Sequence, residues 1–119
     1  MIKTLGKPWK EIGELKRKEW IGDAIIEFFA RDIFNSCWNN KIHATQQRQK
    51  SVKLVTNDEL GRIGKLIGLE PIPNPPDGFI LHMNYANAVE IKVYEVYEKE
   101  GIEEARKWFV DNIVKNFKP

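Results

Sequence analysis

Apolar side chains in this 119-residue chain recur at intervals of three and four, and almost nowhere at intervals of two. That spacing stacks them along one side of a helix, whereas a half-buried strand needs strict alternation. The β-branched residues follow the same helical interval, so no strand is expected. The chain reads as all-α, with about five to seven helices. Ile21, Ala24, Ile25, Phe28, Phe29 and Ile33 form one broad stripe, which predicts a core helix from about Glu19 to Ser36, stopped by "NSCWNN". A polar helix or loop, "KIHATQQRQKSVKL", follows. In "TNDELGRIGKLIGLEP", Thr56 or Asn57 can cap a helix, Asp58 and Glu59 favour its first turn, and Gly68 and Pro71 end it. Leu60, Ile63, Leu66 and Ile67 form its expected buried face. Pro71 to Gly78 holds four prolines and must be an extended connector. A helix ending at Gly101 has Tyr85, Ala86, Val89, Val93, Val96 and Tyr97 on its apolar side. A last one carries Ile102, Ala105, Trp108, Phe109, Ile113 and Phe117.

The length fits one domain, residues 1–119, able to bury roughly two thirds of its unfolded surface. No apolar run approaches the ~20 residues of a membrane span, and the N-terminus lacks the apolar core of a signal peptide. The single cysteine, Cys37, cannot form an internal disulfide, which fits a cytoplasmic protein. One cysteine and two histidines are too few for structural zinc. A net charge of +2 neither demands nor excludes nucleic acid. The stretch from Lys41 to Lys53 is more telling, since it holds Lys41, Arg48, Lys50 and Lys53 and no acid. Trp9, Trp20, Trp38 and Trp108 read as core or interface residues.

Two pairs of polar residues stand at the edges of the apolar stripes. Glu19 and Asp23 are four apart, and Asn87 and Glu90 three apart, so each pair shares a helix face. Two helices crossing there would gather carboxylates and one amide carbonyl, a donor set for a hard cation such as magnesium or manganese. Such a cation commonly serves phosphodiester chemistry. Acids at this spacing also occur on solvated faces, and Gly22 could serve only as a helix contact.

Three segments in order resemble the ribonuclease III catalytic domain. Its signature, a glutamate, two apolar residues and Gly-Asp-Ala before an apolar helix, stands here as "EWIGDAIIEFF", Glu19 to Phe29. Its second block stands as "KLVTNDELGRIGKLIGL", Lys53 to Leu69. Its third stands as "NAVEIKVYEVYEKEGIEEARKWF", Asn87 to Phe109. The resemblance implies an all-α homodimer that cleaves double-stranded or structured RNA with magnesium and leaves 5′-phosphates. It implies metal-site and catalytic roles for Glu19, Asp23 and Glu90, with Asn87 beside them, and a supporting role for Asp58. Lys41, Gln46, Gln47, Arg48, Lys50 and Lys53 are the candidate RNA contacts. The compact layout is similar to the Mini-III members, which lack a double-stranded-RNA-binding domain.

The chain departs from the family at three places. Asn87 replaces an aspartate, Lys16 and Lys18 stand where an acid and a leucine are usual, and Ile91 to Glu95 replaces small residues. These departures keep an alternative open: a non-catalytic module of the same kind that binds RNA or a partner protein.

Overall fold

The structure is a computed structural model, and it describes residues 2–36, 44–71 and 81–118. These residues form five α-helices and one short 3-10 turn, with no strand among them. Helix α1 spans Ile2–Ser36, α2 Ala44–Leu54, α3 Asn57–Leu66, α4 Leu81–Glu100 and α5 Ile102–Asn112. The all-α expectation holds. The connector expected at 71–78 lies, beyond Pro71, outside the described residues, as do Lys41, Cys37, Trp38 and the side chain of Trp9. No helix among the described residues is long and apolar enough to cross a membrane.

Helix α1 starts much earlier than expected, at Ile2 rather than near Glu19. Ile2, Leu5, Trp9, Ile12 and Leu15 keep intervals of three and four there, but Gly6, Pro8 and Gly13 interrupt a helical reading of that half. The stripe also sits differently. Ile26, Phe29 and Ala30 are buried and Ile21, Ile25 and Ile33 half-buried, while Ala24 and Phe28 face solvent.

Helix α3 begins as expected. The Thr56 hydroxyl accepts from the Glu59 amide at 3.2 Å, satisfying one of the donors a helix start leaves open. It ends on Gly68, whose φ of +82° only glycine adopts at little cost. The Gly68 amide donates to Lys65 and the Leu69 amide to Gly64, closing the last turn with a pair of backward bonds. Leu60 and Ile63 are buried, but Leu66 is 62% exposed. The buried face turns instead through Gly61 and Gly64. A Cβ at Gly64 would lie 2.9 Å from the Tyr85 carbonyl oxygen and 3.1 Å from Val89 Cγ2, so the glycine lets α4 settle onto α3.

Helix α4 is the centre of the molecule. Ala86, Val89 and Val93 are fully buried, and so nearly are Ala88, Ile91 and Tyr94. Gly101, at φ +96°, reverses the chain into α5. Ala105, Phe109 and Ile113 complete the core, and Trp108 and Phe117 pack against it; Ile102 and Tyr97 are largely exposed. The Phe29 and Phe109 rings, 5.7 Å apart, join α1 to α5, and Arg106 pairs with Asp32 beside them. At about 25 cal/mol per Å² of apolar surface, each fully buried phenylalanine or isoleucine contributes about 1.5–3 kcal/mol.

A second network ties the C-terminal segment to α3. Glu59, itself buried, accepts from Arg62 Nε at 3.0 Å, from Arg62 Nη2 at 2.7 Å and from the Lys118 amide at 2.9 Å. Arg62 also donates to the Asn116 carbonyl at 2.7 Å. These bonds hold the Glu59 carboxyl below its ordinary range, chiefly through Arg62.

Candidate metal site at the α1–α4 crossing

Three contacts fix how α1 and α4 meet. Arg17 Nη1 donates to Tyr94 Oη at 3.0 Å, Lys18 reaches Glu95 at 3.2 Å, and Gly22 lies against Glu90. From the Arg17–Tyr94 and Lys18–Glu95 pairs to Gly22–Glu90 the numbers rise on α1 and fall on α4, so the helices run antiparallel. The crossing is closest at Gly22. A Cβ there would stand 2.0 Å from the Glu90 carbonyl oxygen and 2.7 Å from its carbonyl carbon. Only glycine allows this backbone-on-backbone contact. It explains a residue that otherwise weakens a helix interior by about 1 kcal/mol.

The contact brings the expected acids together. Glu90 is only 8% exposed. Its carboxyl is pushed up to about 9 by burial, then by a hydrogen bond to Asp23 and the charges of Asp23, Glu19 and Glu27. A buried carboxyl among like charges takes up a proton in preference to ionising. Glu90 therefore carries a proton near neutral pH in the absence of a cation, and its hydroxyl donates to Asp23. Half-buried Glu19 is also raised, by burial, with Lys16 one turn earlier opposing the shift. Asn87, half-buried, stands one turn before Glu90 on α4.

Glu27 was not singled out from the sequence. It stands four residues beyond Asp23, and a run of Glu19, Asp23 and Glu27 at intervals of four was there to be read. By the antiparallel register it is level with the turn of α4 that carries Asn87.

The donor set suits a hard cation: carboxylate oxygens and one amide, with neither sulfur nor imidazole. Among the described residues, no three histidine, cysteine, aspartate or glutamate side chains are arranged to hold a metal ion as they stand. The proton on Glu90, held there first by burial and then by the neighbouring carboxylates, is what a divalent cation would displace.

The other candidates are dispersed. Asp58 is exposed in the first turn of α3, where its charge favours the helix start. Gln46, Arg48, Lys50 and Lys53 are exposed on α2. Gln47 is a correction: it is 6% exposed and faces inward with Ser51 and Leu54, so it cannot meet RNA from that position. The cause is ordinary helical phase, since residues 47, 51 and 54 share the side of α2 turned to the core. Trp20, read as a core or interface residue, is 78% exposed, which excludes the core of one chain. Of the bulky segment Ile91 to Glu95, Ile91, Val93 and Tyr94 are buried while Lys92 and Glu95 are exposed; Tyr94 donates to Glu98 and carries Arg17 over its ring at 5.5 Å.

No protein-family model, curated protein or solved structure matches the chain.

Proposed function

We propose that the protein is a divalent-metal-dependent endoribonuclease with a ribonuclease III endonuclease-domain fold, acting on double-stranded or structured RNA in the cytoplasm. One observation carries this reading: Gly22 lets α1 and α4 touch at Glu90, and Glu90 there feels the carboxylates of Asp23, Glu19 and Glu27. Likeness of three sequence blocks to that family supplies the reaction class. Like charges gathered at a buried position weaken a fold unless they hold something.

Glu19, Asp23 and Glu90 would hold magnesium or manganese, with the Asn87 carbonyl beside them. Bound there, the cation supplies neutralisation of the phosphate and activation of water for its attack on phosphorus. The chain's own part is to orient and to manage protons. As a ligand Glu90 would be the carboxylate, so the proton it carries without a cation would be released to solvent. Without a cation, Asp23 holds the Glu90 carboxyl in place by accepting the hydrogen bond of its hydroxyl. Asn87 contributes a dipole where a carboxylate would add a full charge, so cation affinity is modest.

Homodimer formation is part of the proposal. Trp20, Ala24 and Phe28 line the face of α1 opposite buried Ile26, Phe29 and Ala30. Trp20 and Phe28 are 78% and 60% exposed. A second copy would cover this stripe, which runs beside the acids, and would bring two sites to bear on two RNA strands.

A second reading, an RNA-binding module without catalysis, draws on the neutral Asn87 and on side chains that are not yet in ligand geometry. A long labelled RNA duplex incubated with magnesium, manganese or chelator separates the two. Metal-dependent cutting supports the nuclease. Binding without cutting under any metal supports the module.

A further inference from the structure

Two exposed surfaces of the molecule complement one another. The first is a shallow groove on the outer side of α2 and the turn after it, lined by Thr45, Arg48, Gln49, Val52, Lys53 and Thr56. Its wall is mostly carbon, and Val52 stands in it 65% exposed. A wall of this kind suits an apolar side chain better than a charged group. The charge around it is positive, since α2 carries Arg48, Lys50 and Lys53 and no acid. Lys53 is already engaged, its charge helping to lower the Glu59 carboxyl. Arg48 and Lys50 are exposed and make no ion pair with a described residue.

The second surface is the corner where α4 turns into α5. Gly101, at φ +96°, makes the reversal, and Ile102 stands just past it, 44% exposed. Tyr97, one turn before it, is 41% exposed. From Glu95 to Glu104 the chain carries five acids and one lysine, Lys99. Glu95 is matched by Lys18, and Glu98 accepts from Tyr94. Glu100, Glu103 and Glu104 are exposed and make no ion pair with a described residue. An exposed isoleucine among unpaired glutamates is the counterpart, in charge and in apolar character, of an exposed valine beside unpaired cations.

Within one chain the two surfaces do not meet. Helix α2 packs on α1 and α3, and α3 seats Gly64 against Tyr85 and Val89 in the first half of α4. At about 1.5 Å per residue, the stretch from Val89 to Gly101 carries the corner roughly 18 Å further along the axis of α4. We infer that the α2 groove takes the α4–α5 corner of a second copy of this chain, with Ile102 on Val52 and Glu103 and Glu104 beside Arg48 and Lys50. The contact joins different patches of two copies, so every copy added leaves one groove and one corner open. It therefore links particles head to tail into rings or filaments. It depends neither on the metal site nor on the twofold contact across Trp20 and Phe28.

The test is particle mass by light scattering across a protein concentration series, at low and at high salt. Wild-type mass should climb with concentration at low salt and climb less at high salt, which screens exposed charges. A groove variant, Arg48→Glu with Lys50→Glu, should weaken this growth by about tenfold or more, because it sets acid against acid. A corner variant, Glu103→Arg with Glu104→Arg, should do the same by setting base against base. An equimolar mixture of the two should recover the growth, since each groove then meets a corner of opposite charge. Ile102→Asn, which keeps every charge, should also weaken it. The substituted positions are all exposed, and circular dichroism checks that each variant is folded.

Several results would overturn the inference. A wild-type mass that stays constant across the series at low salt would remove the contact. Two weakened variants whose mixture stays weak would reduce the effect to bulk charge. Unchanged growth in the corner variant would place the contact elsewhere. A groove variant that associates normally but no longer binds duplex RNA would give the face to RNA instead. None of these results bears on metal-dependent cutting, which is read separately from the same proteins.

Discussion

Gly22→Ala is the substitution that most sharply probes the α1–α4 contact. The added methyl carbon would lie 2.0 Å from the Glu90 carbonyl oxygen, about 1.4 Å short of the 3.4 Å at which ordinary contact begins. The obstacle is backbone, which cannot rotate aside, so the helices must separate. Overpacking of a core costs typically ~1–3 kcal/mol, and a backbone clash belongs at the upper end. Alanine recovers ~1 kcal/mol of helix preference over glycine. The net is about 2 kcal/mol, or about 8 °C in Tm at roughly 4 °C per kcal/mol for a chain of this size. Gly64→Ala meets its nearest atom at 2.9 Å and should lose less, about 1 kcal/mol by the same reasoning. Gly13→Ala meets nothing within 4 Å and should gain ~0.5–1 kcal/mol. Thermal unfolding of the three variants gives the order directly. A Gly22→Ala protein as stable as wild type, or more stable than Gly64→Ala, would refute the close crossing and the site built on it.

Four further outcomes follow from the same contacts. Glu90 is raised in the folded state, so without a cation its contribution to stability is full below the unfolded carboxylate range and is lost as pH rises toward about 9; Tm measured in EDTA should fall across that window, and Glu90→Gln should flatten the fall. Glu59 is lowered, so its contribution is present above the unfolded carboxylate range near 4.3 and is lost as pH falls through and below it; Glu59→Gln should cost about 1.5–3 kcal/mol at neutral pH and blunt acid unfolding in a pH-Tm series. Magnesium binding should release protons, read by calorimetry in buffers of different ionisation enthalpy, and the release should shrink in Glu90→Gln. Trp20→Lys should leave the far-ultraviolet circular dichroism unchanged and lower the particle mass seen by light scattering, since Trp20 is exposed and contributes little to the core of one chain.

Helix class and most boundaries were readable because they depend on local rules. Thr56 with Asp58 and Glu59 marks a start, and Gly68 and Gly101 mark ends, wherever they occur. The convergence of Glu19, Asp23 and Glu90 was readable in part. Their spacing puts each pair on one face, but that the two faces meet depends on Gly22 and on which side of α4 is turned to α1. The misreadings have the same origin. Leu66 was expected inside and is out because Gly61 and Gly64 shift the α3–α4 contact toward the side without side chains. Ala24 and Phe28 were counted into the core because six apolar residues on one helix cover more than the face a single chain can bury. Gln47 was counted outside because a helix of glutamines and lysines gives no apolar signal of its own phase. Glu27 went unnoticed because an exposed glutamate after an apolar pair is ordinary until Glu90 is placed beside it.

The claim that matters most is that the acids around Gly22 cut RNA, and one assay addresses it directly. Wild type, Glu90→Gln and Glu103→Gln would be incubated with a long end-labelled RNA duplex and magnesium, with chelator as the blank. Glu103 is an exposed glutamate in the first turn of α5 and serves as the charge-matched control. The account predicts magnesium-dependent cutting into products with 5′-phosphates, retained by Glu103→Gln and reduced by orders of magnitude in Glu90→Gln. Cutting that survives intact in Glu90→Gln, or no cutting by a wild type that binds the duplex, would contradict it.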